Sequence, residues 1–189
     1  IDRDLIRKYF TKYDHYFVKD KWKTKIKIKH LFTMTSGINV SKKILDQSNP
    51  KHPFHLMEKS GDWVDFILNN KVSQPPGDCF EYKDYDAVLL SYIFREITSY
   101  NLDEYAKKYL FPALNIKSFF WRKTSQGLSD SMGGLYLSMD SLYKIGEMVI
   151  DKGKYNGKQL VSDNWLSKSV KNYRKSKGKY WGYEYGYGY

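Results

Sequence analysis

Apolar residues along this chain recur mostly at helical spacing. Asp2 and Asp4 precede Leu5, Ile6, Tyr9, Phe10 and Tyr13, a stripe with acids at its positive end, which predicts a first helix. "KTKIKIKH" alternates lysine and isoleucine like a strand, but Leu31, Phe32 and Thr35 continue at helical spacing. A short extended piece therefore leads into a helix from about Lys29, with Gly37 as its left-handed cap. Ser60 and Asp62 open a helical segment through Trp63, Val64, Phe66, Ile67 and Leu68, and "SQPPGD" breaks the pattern. Asp84 is placed to cap a long helix whose Val88, Leu89, Tyr92, Ile93 and Ile97 face one side.

Further along, Asn101 and Glu104 have capping-box spacing, and Pro112 stops the helix they begin. "SMGGLYLSMD" reads as an extended piece pivoting on Gly133 and Gly134, followed by a helix from about Asp140 to Asp151 closed by Gly153. Leu142, Ile145 and Val149 form its apolar stripe. Asn156-Gly157 marks a turn, and Ser162 caps a short helix through Trp165 and Val170. The tail "GKYWGYEYGYGY" has the two-residue period of a strand. The pattern as a whole predicts a mainly α chain with short extended segments, without internal repeat or domain linker.

Composition narrows the choice of function. The chain of 189 residues is long enough for one domain with a real core, and 18 tyrosines give it much to bury. No run of eighteen apolar residues predicts a membrane span. The single cysteine, Cys79, excludes an internal disulfide and a cysteine-rich metal site. A net charge of +11 favours a polyanionic partner. Lysine outnumbers arginine about five to one, however, and is scattered among tyrosine and asparagine, which argues against a dedicated nucleic-acid role.

The candidate chemistry begins at "HLFTMTSGI", where Ser36 directly precedes Gly37. A hydrolase elbow needs glycine two residues to either side, where Met34 and Ile38 stand; an activated serine with lysine three residues on would need lysine at Asn39. Both readings of Ser36 fail. The Ser-x-x-Lys spacings at Ser48/Lys51 and Ser176/Lys179 lie in polar segments. Ser141 and Lys144 share a helix face, expected to be its exposed side. His52 and His55 flank Pro53 as a solvated loop pair, and His30 at a helix start reads as a buried, hydrogen-bonded histidine. No metal site and no cofactor is predicted.

The segments "IKIKHLFTMTSGI", "PPGDCFEYKDYDAVLLSYI", "FPALNI", "MGGLYLSMDSLYKIGEMVIDKGKYNGKQLVSDNW" and "YGYGY", in that order, resemble the serine β-lactamase-like and penicillin-binding family. The likeness is greatest to its carboxylesterase and 6-aminohexanoate-dimer hydrolase branch. It covers nearly the whole chain and implies the helical lobe of the β-lactamase/transpeptidase-like α+β fold, with the start of a sheet strand at the tail. Residues 1–189 are then one partial domain. The family's nucleophilic serine and lysine are expected upstream of the segment matching Ile1, and its Lys/His-x-Gly strand after the tail; neither is in this sequence.

The resemblance implies that Tyr82, in Tyr82-Lys83-Asp84, is the general base that takes the serine proton and returns it to the leaving group. A phenol of reference pKa about 10 needs a nearby cation for that task, chiefly the missing lysine. Residues 1–189 alone are therefore expected to be inactive. Asp84 stands where the family has asparagine; a carboxylate only accepts hydrogen bonds, which favours an ester or linear amide substrate over a β-lactam. Gly133 and Gly134 let backbone pass close to a cleft wall or serve tight-turn packing, and Trp121 lines the pocket or the core. The alternative function is a non-catalytic module binding cell-wall polymer or another polyanion.

Overall fold

A computed structural model describes residues 1–40, 48–175 and 186–188. The amino-terminal stripe does not form one helix. It makes two 3-10 turns, Ile6–Tyr9 and Thr11–Tyr13, before α1 at Asp14–Val18. Tertiary contacts set this path: Phe10 stacks on Tyr92 at 5.0 Å, and Tyr13 meets the same ring edge-on at 5.7 Å. The Tyr9 hydroxyl donates to Asp4 at 2.7 Å and the Tyr13 hydroxyl to Asp62 at 2.8 Å.

Helix α2 covers Ile28–Phe32 and stops earlier than its apolar pattern predicts. Met34, not Gly37, is the first left-handed residue, at φ 52°. Gly37, at φ 75°, serves a different need: a Cβ there would lie 2.3 Å from the Gln74 carbonyl oxygen. The expected His52–His55 loop is helix α3, Pro53–Lys59. Pro53 occupies its first turn, where a missing N–H costs nothing, and His52 Nδ1 accepts the Phe54 N–H at 3.2 Å. Helix α4, Trp63–Leu68, starts at its predicted cap, with Asp62 accepting from the Asp65 N–H at 2.9 Å.

Helix α5, Asp84–Thr98, is the longest. Asp84 lies in its first turn instead of capping it, and Lys83 is the N-cap residue. Val88, Leu89, Tyr92 and Ile93 are buried as predicted, whereas Ile97 is exposed, because the last turn runs past the core. The Asn101–Glu104 box begins α6, Leu102–Tyr105, which passes into a π turn at Ala106–Leu110. Strands β1, Phe119–Trp121, and β2, Leu135–Leu137, pair antiparallel with Trp121 opposite Leu135.

Helix α7, Met139–Ile150, corrects two expectations. Leu142 is 56 % exposed and Ile150 85 %, while Ser141 and Met148 are buried. The face carrying Ser141 and Lys144 is thus the packed one, with the Lys144 ammonium on the Asn115 carbonyl at 3.2 Å and on Asp140 at 2.7 Å. Ile145 and Val149 of the predicted stripe do pack on the smaller cluster; Asp140, Lys144 and Glu147 mark one polar side, but the apolar arc opposite is wide, and packing buries its Met148 edge and leaves its Leu142 and Ile150 edge in solvent. Asn156 and Gly157, at φ 48° and 75°, turn the hairpin of β3, Lys154–Tyr155, and β4, Lys158–Gln159. Ser162 caps α8, Asp163–Ser169. Of the tail, Gly186–Tyr187 (β6) pairs antiparallel with Arg174–Lys175 (β5); Ser176/Lys179 and the rest of the tail lie outside the described residues.

Two apolar clusters result. The larger gathers Ile6, Phe10, Phe17, Leu31, Trp63, Leu68 and Leu89 from the first half of the chain. The smaller gathers Ala106, Phe111, Leu114, Ile116 and Met148 beneath β1, β2 and α7. Each fully buried large side chain contributes roughly 1.5–3 kcal/mol. Segment 129–131 ties the halves together: the Ser131 hydroxyl donates to the Ala87 carbonyl of α5 at 2.8 Å, and Ser129 accepts the Asp103 N–H at 3.1 Å.

Candidate active site

The backbone after α2 forms a strap, residues 34–39, laced on both sides. Ser73 N–H donates to the Gly37 carbonyl at 2.9 Å, and Asn39 N–H donates to the Lys71 carbonyl at 2.9 Å. On the other side, Gly77 N–H reaches the Thr35 carbonyl at 2.9 Å and Glu81 N–H the Met34 carbonyl at 3.0 Å. The intervening Pro75–Asp78 turn needs Gly77, which sits at φ 100°. These bonds place Tyr82 at the junction of the strap and α5.

Lys83 is extended, at φ −155° and ψ 123°, so successive side chains point to opposite sides. Tyr82 faces out and is 44 % exposed; Lys83 faces in and is 5 % exposed. The Lys83 ammonium donates to the Ile38 carbonyl at 3.0 Å and meets the Glu81 carboxylate at 3.3 Å. A cleft of about 380 Å³ opens beside this segment, walled by Gly37, Asn39, Ser73, Gln74, Glu81 and Lys83. Asp84 is half-buried; burial, with the Asp84 charge adding to it, pushes the Tyr85 phenol up to about 12.

One buried polar pair escaped the sequence reading. Asp86 is wholly buried, and its Oδ1 accepts the hydroxyl of the equally buried Ser36 at 2.6 Å. Its Oδ2 has no hydrogen-bond partner. Burial pushes the Asp86 carboxyl up to about 7, against the opposing effects of Lys83 and the Ser36 hydrogen bond. The signal was legible: Asp86 stands three residues before Leu89 and seven before Ile93, an acid within the apolar stripe of α5.

The remaining predicted residues sit elsewhere in the packing. Trp121 lies against the smaller cluster, its indole N–H donating to the Asp130 carbonyl at 2.7 Å. A Cβ on Gly134 would come within 2.7 Å of Asp130 Cβ, so tight-turn packing accounts for that glycine. Gly133 has open space around its Cα. His30 Nδ1 accepts the Lys27 N–H at 3.1 Å as expected, but the ring is half-buried where a buried one was expected. Ser36 is committed to Asp86, and Ser141 lies 2.9 Å from the Ser138 hydroxyl. Among the described residues, no cluster of three or more His, Cys, Asp or Glu is arranged to hold a metal, and no helix is long and apolar enough to cross a membrane.

Comparison with solved structures gives the same architecture. A Bacillus anthracis protein assigned as a 6-aminohexanoate-dimer hydrolase superposes with a TM-score of 0.73 at 17% identity, over 88% of this chain and 45% of that one. The octameric penicillin-binding protein homologue from Pyrococcus abyssi gives 0.65 at 20% identity, over 99% and 47%. A penicillin-binding protein homologue from Caulobacter crescentus gives 0.70 at 9% identity, over 99% and 58%. The chain thus spans about half the length of these structures. No curated protein sequence matches significantly. The family model described as Beta-lactamase matches residues 4–188, nearly the whole chain, and the chain therefore belongs to the β-lactamase family.

Proposed function

We propose that this chain is part of a serine hydrolase that cleaves an ester or linear amide through an acyl-serine intermediate, with Tyr82 as the proton-transfer group. The observation that carries the reading is the placement of Tyr82: an exposed phenol on a segment held rigid by the laced strap, a buried lysine and a fifteen-residue helix. In this reading a serine outside residues 1–189 attacks the carbonyl carbon. Tyr82 accepts its proton, then donates it to the leaving alcohol or amine as the acyl-enzyme forms, and water completes the cycle. The cation that favours phenolate is not Lys83, whose ammonium is engaged with Ile38 and Glu81. The lysine of the family's Ser-x-x-Lys fills that role. Asp84, as an acceptor at the edge of the same segment, favours substrates that present a donor. Of the residues that the family resemblance places on the substrate side, Trp121 and Gly134 serve packing here, and Gly133 keeps open space where a side chain would stand.

The test uses the full-length protein carrying this chain. Tyr82→Phe keeps the ring, so folding should be unchanged while ester turnover falls about 10²- to 10⁴-fold. A fluorophosphonate probe should label a serine outside residues 1–189. Retention of more than about a third of the activity at equal stability, set against that range, or stoichiometric labelling at Ser36 or Ser141, would overturn the assignment.

A further inference from the structure

Two buried charges beneath Tyr82 have no part in the chemistry above. Lys83 is buried and Asp86 wholly so. Ionised groups persist in an apolar interior only where the fold compensates them, and apolar residues of similar volume commonly pack there at no loss of stability. Their contacts are directional. Lys83 holds the strap at the Ile38 carbonyl, 3.0 Å away, and Asp86 holds it two residues earlier, at the Ser36 hydroxyl, 2.6 Å away. The Ser36 oxygen in turn accepts the Ile38 N–H at 3.3 Å. Tyr82 and Asp84 belong to the segment from which both grips reach.

Neither grip is complete by itself. Asp86 Oδ2 is buried without a hydrogen-bond partner, so the carboxylate depends on the field of the Lys83 ammonium. Lys83 in turn has one carbonyl and the half-exposed Glu81 as its contacts. Glu81 also bears on Asp86, with the opposite sign. The two buried groups therefore grip the same three-residue stretch of the strap, Lys83 at Ile38 and Asp86 at Ser36.

We infer that Lys83 and Asp86 are positioning residues that act as a pair, fastening the 36–38 strap so that Tyr82 is held in reacting geometry. The inference rests on the assignment of Tyr82 as the proton-transfer group.

Lys83→Met, Asp86→Asn and the double variant, made in the full-length protein, test it at pH 8. The Asp86→Asn change keeps an acceptor for Ser36 but loses the charge, so it is read alongside the double variant, in which both charges are gone. Each single change should lower kcat about 10²-fold, as loss of sub-ångström placement does, with KM changed less than about threefold. Amide exchange at Ile38 should quicken in both. The double variant should regain at least about tenfold in kcat, since coupled sites do not add. Losses that multiply in the double variant, or that fall on KM alone, would overturn the pairing while leaving the role of Tyr82 intact. Full activity in Tyr82→Phe would instead remove the proton-transfer assignment, and the positioning role with it, even if exchange at Ile38 still revealed a clamp.

Discussion

Replacing Asp86 with asparagine should change how stability responds to pH, by an amount set by burial. The folded chain pushes the Asp86 carboxyl from the ordinary 3.8 up to about 7, chiefly through desolvation. Between about pH 4 and 7 the folded state therefore keeps a proton that the unfolded state has lost. Stability must fall as pH rises through that window and level off above it. At 1.36 kcal/mol per unit, the shift of about three units corresponds to about 4 kcal/mol. Asparagine has no proton to lose, yet retains an acceptor for the Ser36 hydroxyl. Urea unfolding of both proteins at half-unit steps from pH 4 to pH 8 measures the difference directly, and other carboxylates cancel in it. The stability of Asp86→Asn relative to wild type should rise by about 4 kcal/mol across the range, most of it below pH 7. A difference that moves by less than about 1 kcal/mol, well under the linkage value, would refute the claim that this carboxyl is both desolvated and ionisable in the fold.

Other substitutions test the packing. Gly37→Ala meets the Gln74 carbonyl at 2.3 Å and a backbone at φ 75°; a loss of about 2 kcal/mol or more is expected, seen as a Tm lower by roughly 4–8 °C. Glu104→Ala removes the carboxylate that accepts the Asn101 N–H at 2.7 Å and should cost about 1 kcal/mol in urea unfolding. On α7, Met148→Ala should cost about 2–5 kcal/mol and Leu142→Ala no more than about 0.5, the reverse of what the apolar stripe read from sequence implies.

Much was determined by sequence alone where the signal is local. Asp62 and Ser162 cap their helices, Glu104 reaches back to the Asn101 N–H, and Asn156-Gly157 turns its hairpin, because each acts on backbone within four residues. Tyr82 entered as a candidate through the family resemblance, which places its base between a Pro-Gly turn and an apolar helix such as α5. The path of residues 6–13 was not: their helical period is real, but stacking on Tyr92, about eighty residues away in the chain, bends them into 3-10 turns. Only the tertiary structure chose which edge of α7's wide apolar arc is buried, since Leu142, Ile145, Met148, Val149 and Ile150 all lie on that arc and the neighbours at Asn115 and Tyr155 make the choice. It alone brought Ser36 and Ile38 onto Asp86 and Lys83, across about fifty residues. A polar side chain becomes a buried contact through its partner, and that partner is set by how distant segments pack, which no local pattern records.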